Sequence, residues 1–192
     1  MSWEITKVLI TLWPLFITIF LIFAAIINGI YIQGIIYFAG ILLSILIWFV
    51  LGTNSVLIQN NFCKINTLRL LGYNYDIPNL NTVILWYTNA YIFSSMFSTQ
   101  SFNPYIISIL LIGSIVNIFV LNNENCINIE GFLISLFIGA VCGVLWFLVF
   151  LKSGNKNLLY LSEYIEKASV CTVPKKQEFK CRTIKRKVPK KN

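Results

Sequence analysis

Apolar residues run along this chain in five blocks, near 8–30, 34–51, 82–98, 104–121 and 132–151, separated by polar or turn-forming stretches. A bilayer core about 30 Å thick is crossed by about 20 apolar residues at about 1.5 Å of rise each, so the blocks have the length of spanning helices. The pattern predicts an all-α fold, a polytopic transmembrane helical bundle of about five spanning helices. The first block holds Trp13 and Pro14; a proline removes a backbone donor and either bends the helix or lies in a late-starting first turn. Gly29 to Gly34 is the expected break before the second block. The third, TVILWYTNAYIFSSMF, is semi-polar through Thr88, Asn89, Ser94 and Ser95, and is expected to face other helices rather than lipid.

Residues 52–81 form the long connection. Val56, Leu57, Phe62, Ile65, Leu68 and Leu71 recur there at roughly helical spacing with Lys64 and Arg69 between them, which fits either a helix lying in the interface or an irregular loop packed on helix ends. The other connections are short: Thr99 to Asn103, with Pro104 opening the next helix, and Asn122 to Glu130. After the fifth block the chain changes character. Residues 152–167 can form a short amphipathic helix after Gly154, with Leu158, Leu161 and Ile165 on one side. Residues 171–181 read as two short strands around Pro174-Lys175-Lys176-Gln177, a small β-hairpin, or as a disordered basic segment. Two regions result: a transmembrane domain, 1–151, and a basic tail, 152–192.

Composition agrees with a membrane chain. Hydrophobic residues make up 57% and charged residues only 11% of 192 positions, against about 25% charged in soluble domains. The net charge of +8 is not spread evenly. Residues 152–192 carry 12 basic and 3 acidic side chains, while residues 1–151 carry 3 basic and 4 acidic. Lys and Arg beside a helix end stay cytoplasmic, so the tail is expected inside and, after five crossings, the N-terminus outside. Loops 52–81 and 122–131 then share the non-cytoplasmic face. Ile30 to Val50 continues apolar without a small-residue cleavage site, which favours a retained anchor over a removed signal.

Candidate chemistry is sparse. There is no histidine, the commonest acid–base and metal-binding side chain. The five cysteines, Cys63, Cys126, Cys142, Cys171 and Cys181, lack CxxC spacing, so no metal or other cofactor is expected. Whether Cys63 pairs with Cys126, or Cys171 with Cys181, is open at this level. Gly131, Ser135, Gly139 and Gly143 fall at successive i+4 steps, a stripe that lets another backbone approach closely, within the chain or across a homo- or hetero-oligomer. Asn28, Gln33, Asn89 and Asn117 lie at or inside apolar blocks, where each needs a partner; the blocks hold no acidic or basic group for a proton relay or a coupling ion.

The order of a Pro-containing outer loop, a helical hairpin, and a second outer loop leading into a Gly-repeating helix resembles the type 2 phosphatidic acid phosphatases over roughly residues 30–151. Pro78-Asn79-Leu80-Asn81-Thr82 and Asn125-Cys126-Ile127-Asn128-Ile129-Glu130-Gly131 stand where that family carries two of its motifs. Its chemistry needs one histidine as nucleophile, another as acid, and cations on the phosphate. Asn81 and Asn128 can be neither, so the resemblance implies a scaffold without phosphatase activity and assigns no catalytic residue. The run from Cys171 to Cys181 with its basic end resembles the termini of multi-pass membrane proteins of large nucleocytoplasmic DNA viruses, which implies a virion or host internal membrane. Lys175, Lys176, Lys180, Arg182, Lys185, Arg186 and Lys187 serve either as a topology determinant or as a contact for anionic lipid or an acidic protein partner. With only Phe179 among the charges, stacking surface is lacking and nucleic acid is not an expected partner. The expected role is structural or organising and non-catalytic. A lipid-phosphate phosphatase-like enzyme and an uncoupled lipid-binding or channel-like protein are the alternatives.

Overall fold

The computed structural model describes residues 2–52, 78–99, 102–154 and 158–160. Among them the chain is all-helical: α1 Ser2–Thr11, α2 Trp13–Ile27, α3 Tyr31–Leu51, α4 Leu80–Thr99, α5 Pro104–Asn123 and α6 Ile129–Lys152. Three of these, α3, α5 and α6, are individually long and apolar enough to cross a bilayer, and α2 is a shorter apolar helix. The protein has the helices of an integral membrane protein.

The first apolar block is two helices, not one, and begins at Ser2 rather than near residue 8. Pro14 is the cause. It cannot donate to Ile10, and Leu15 N turns instead to Leu12 O at 3.0 Å, so Leu12 becomes the N-cap of α2. The break lets the halves choose different neighbours: α1 packs on α5, while α2 packs on α3 and α4.

Helix ends follow from local capping. α2 stops at Asn28 because Gly29 takes φ +73°, with Gly29 N bonded to Ile26 O and Ile30 N to Ala25 O, a Schellman motif. The break lies at residues 28–30, and Gly34 is inside α3, set against Ala25. Asn103 caps α5 through its Oδ1, which accepts from Tyr105 N at 3.1 Å and Ile106 N at 3.4 Å, with Pro104 at the first helical position. α5 ends in a second Schellman motif: Asn125 has φ +52°, and Cys126 N reaches Leu121 O at 2.8 Å while the two side chains pack together.

α4 is the centre of the bundle. It contacts α2, α3, α5 and α6, and twelve of its twenty residues are buried. A helix surrounded by protein need not be apolar all round, which explains why the weakest block occupies the middle. α3 runs antiparallel to α4, bringing Tyr37 to Thr88 and Trp48 to Pro78. α6 runs parallel to α4, with Asn79 meeting Ser135, Val83 meeting Gly139 and Tyr87 meeting Gly143. One end of the bundle therefore gathers α1, Gly52, Pro78 and the α5–α6 turn, where Lys7 and Glu124 form an ion pair at 2.6 Å. The other end gathers Gly29, Asn103 and Gly154.

Residues past α6 do not all leave the bundle. Leu159 and Tyr160 are buried, Tyr160 Oη donates to Leu21 O at 2.6 Å, and Ser95 Oγ donates to the Tyr160 carbonyl. Leu158 beside them is half-buried, and most of the expected amphipathic helix over 152–167 lies outside the described residues. The expected hairpin at 171–181, the interfacial element at 53–77, and the seven basic residues from Lys175 to Lys187 lie outside the described residues.

Candidate functional site

Three groups of side chains with polar atoms inside the bundle join one helix to another. The first lies at the α1–α2 break. Pro14 leaves Ile10 O without its helical donor, and the redirected Leu15 N leaves Thr11 O in the same state. Asn117 of α5 donates Nδ2 to Ile10 O at 2.7 Å, and Asn81 of α4 donates Nδ2 to Thr11 O at 3.1 Å. Two buried amides from two helices thus replace the two donors the break removes. Without them both carbonyls would be orphaned in a low-dielectric interior. Thr18 Oγ1 meanwhile bonds Pro14 O at 2.8 Å on the α2 side.

The second group is the α4–α6 seam. Gly131, Ser135, Gly139 and Gly143 are all buried, and Phe147 continues the line. A Cβ at Gly143 would stand 2.5 Å from the Tyr87 carbonyl oxygen, and one at Gly139 would meet the Val83 carbonyl oxygen. Ser135 Oγ accepts from Asn79 N at 2.7 Å and donates to Gly131 O. The stripe is occupied by α4 of the same chain, so it is not the open oligomer face that its spacing also allowed. Asn79 in turn caps α4, its Oδ1 accepting from Thr82 N at 3.2 Å.

The third group is a tyrosine cluster. Tyr37, Tyr87, Tyr91 and Tyr160 are buried with ring centroids 5.8 Å apart for Tyr37–Tyr91 and 6.0 Å for Tyr37–Tyr87, Tyr37–Tyr160 and Tyr87–Tyr91. Tyr37 Oη shares a 2.8 Å hydrogen bond with Thr88 Oγ1, and Gly40 of α3 leaves room for the Tyr87 hydroxyl. Sequence reasoning missed this cluster. The i+4 spacing of Tyr87 and Tyr91 on a semi-polar helix was the available signal.

The two segments with phosphatase-like order lie at the same end of the bundle, and the first forms structural joints. Pro78 O accepts from Trp48 Nε1, Asn79 caps and staples, and Asn81 is buried and turned to α1. Asn128 is the N-cap of α6, exposed and without a side-chain cap bond, and Glu130 is exposed beside it. Lys64 and Arg69 lie outside the described residues. Among those described, no three His, Cys, Asp or Glu side chains cluster as metal ligands would. Asn89 and Asn117 do not line an open path: both are about fully buried, and Asn89 Nδ2 bonds Ser114 Oγ at 2.7 Å while Asn117 is held at α1. Their Oδ1 atoms have no partner. Gln33 is buried, and Asn28 is exposed with its Nδ2 on Ala24 O at 2.7 Å.

Cys142 is free in α6, whereas Cys126 is disulfide-bonded. No protein-family model matches the chain, and no curated protein or solved structure is significantly similar to it. Among the described residues, the buried polar groups are mostly amides, hydroxyls and phenols turned toward each other and toward backbone. It is suited to holding helices in register.

Proposed function

We propose that this is a five-pass integral membrane protein with a non-catalytic, structural or organising role, set in a virus-associated membrane as its tail resemblance implies. The count of five takes α1 and α2 as one broken pass of about 26 residues, about 39 Å of rise, and takes α4 as a pass shielded from lipid by its neighbours. The observation that carries the role is the use of Asn79, Asn81 and Asn117. Asn79 and Asn81, in the first of the two segments with phosphatase-like order, are buried and engaged as a helix cap and on backbone, and Asn117 is held on Ile10 O in the same way.

Orientation has two supports. The tail leaves the bundle at the end opposite Cys126, and its 12 basic side chains favour the cytoplasm. The disulfide at Cys126 suits an oxidising compartment on the other side. The basic tail, from Lys175 to Lys187, is then the part of the chain placed to touch anionic lipid or an acidic partner.

Purified protein offered phosphatidic acid in mixed micelles is expected to release no phosphate above a boiled control. Turnover that disappears on Asn81→Ala or Asn128→Ala would overturn the non-catalytic role.

A further inference from the structure

We infer that the joint beside the α1–α2 break is a binding site for one buried water molecule, held by Trp13 Nε1, Asn89 Oδ1 and Asn117 Oδ1. These atoms belong to α2, α4 and α5, and each is enclosed by the protein without a hydrogen-bond partner in it. Asn89 is 1% exposed and Asn117 0%, so neither oxygen reaches solvent or lipid headgroups. The site does not depend on the role or the orientation proposed above.

A single turn of α5 gathers the three. The Trp13 indole lies so close to Gly113 that a Cβ there would stand 2.0 Å from Nε1. Asn89 is held at the next residue, where its Nδ2 donates to Ser114 Oγ at 2.7 Å. Asn117 follows Ser114 by three positions and Gly113 by four, on the same side of the helix, and its Nδ2 donates to the carbonyl of Ile10, three residues before Trp13. Side chains at such spacings stand about 5–6 Å apart at Cβ. A gap of that order is closed by two hydrogen bonds of about 2.8 Å in series through one oxygen.

The network fixes which way each amide faces. Ser114 spends its only proton on Leu110 O at 2.7 Å, so its oxygen can only accept, and Asn89 must turn its NH2 group toward it. The Ile10 carbonyl accepts in the same way and fixes the NH2 group of Asn117. Both Oδ1 atoms are therefore acceptors that need donors, and Trp13 Nε1 is a donor that needs an acceptor. Water supplies two protons and a lone pair, the complement of this set, and buried waters typically make about three hydrogen bonds to such groups. A monovalent cation would suit the two oxygens but would face the positive end of the indole N–H. The water ties α2 to α4 and α5 next to the two carbonyls that Asn81 and Asn117 already cover.

Full-length protein carrying isotope-labelled tryptophan in deuterated micelles tests the site through rotating-frame cross-peaks between water and the indole protons. Trp13, assigned by its loss in Trp13→Phe, is expected to show a water cross-peak of dipolar rather than exchange sign, whereas Trp146, whose Nε1 donates to Ile36 O at 3.0 Å, shows none. Absence of the Trp13 cross-peak would overturn the proposal. Asn89→Leu removes one of the two acceptors and is expected to abolish the cross-peak; an unchanged one would overturn the three-way site. Should that variant fail to fold, crystals of the unaltered protein that show ordered water decide. A solvent peak within about 3.2 Å of all three atoms is expected. No peak there, or an anomalous rubidium peak in its place after soaking, would sink the water assignment.

Discussion

Replacing Asn117 with leucine removes the donor that reaches Ile10 O at 2.7 Å. Pro14 guarantees that no backbone N–H takes over, so a buried carbonyl is left unpaired at a cost of about 1–3 kcal/mol. The same substitution removes Asn117 Oδ1, itself buried without a partner in the chain, and this relief offsets part of the loss. The single variant therefore mixes two terms of opposite sign. Combining it with Pro14→Ala separates them: alanine at 14 supplies the missing N–H, the Ile10 carbonyl regains a helical partner, and Asn117 becomes redundant there. The Oδ1 term is common to both backgrounds and cancels from the cycle. Interhelical hydrogen bonds in membrane proteins average about 0.6 kcal/mol and reach about 1.7 kcal/mol, so a coupling energy of about 1 kcal/mol is expected, with Asn117→Leu less harmful when Pro14 is absent. Reversible unfolding of all four proteins in mixed micelles with increasing SDS measures it. Costs that add to within about 0.3–0.5 kcal/mol would refute the idea that Asn117 compensates for the proline.

Two further outcomes test the other joints. Gly143→Ala sets a methyl 2.5 Å from the Tyr87 carbonyl oxygen, a backbone atom that cannot swing away, and is expected to lower stability in the same titration by about 1–3 kcal/mol, while Val141→Leu on the outer face of α6 changes it by less than about 0.5 kcal/mol. Tyr160→Phe deletes the hydroxyl that holds the chain end to Leu21 O and is expected to cost about 1 kcal/mol and to speed tryptic cleavage after Lys152; equal cleavage rates in the two proteins would show that the contact does not pin this segment.

Much of the bundle is readable from local pattern. The helix blocks, their turns and the small-residue stripe depend on apolar length, on Gly, Pro and Asn chemistry, and on i+4 spacing, all of which act within a few residues. Pro14 marked a bend or a late start in the first block for the same reason, a missing N–H being a property of one residue, although the full break into two helices was not foreseen. What fills that break is not local. Asn81 and Asn117 stand 67 and 103 positions after Pro14, and nothing in their own surroundings tells a caping amide from a reactive-site remnant or a pore lining. The phosphatase-like order drew attention to Asn79 and Asn81, but their donors and acceptors gained meaning only when α1, α4 and α6 were brought side by side.

The stripe on α6 shows the same division. Its sequence dictates that some backbone comes close to Gly139 and Gly143; that the backbone belongs to α4 of the same chain, rather than to a second copy, was settled by helix packing. The tyrosine cluster and the return of Leu159 and Tyr160 into the bundle were decided entirely at that level, since burial depends on which surfaces the neighbouring helices leave uncovered. Propensity, capping and hydropathy are short-range and therefore written in the chain. Partnership between buried polar groups is long-range, and only the assembled bundle assigns it.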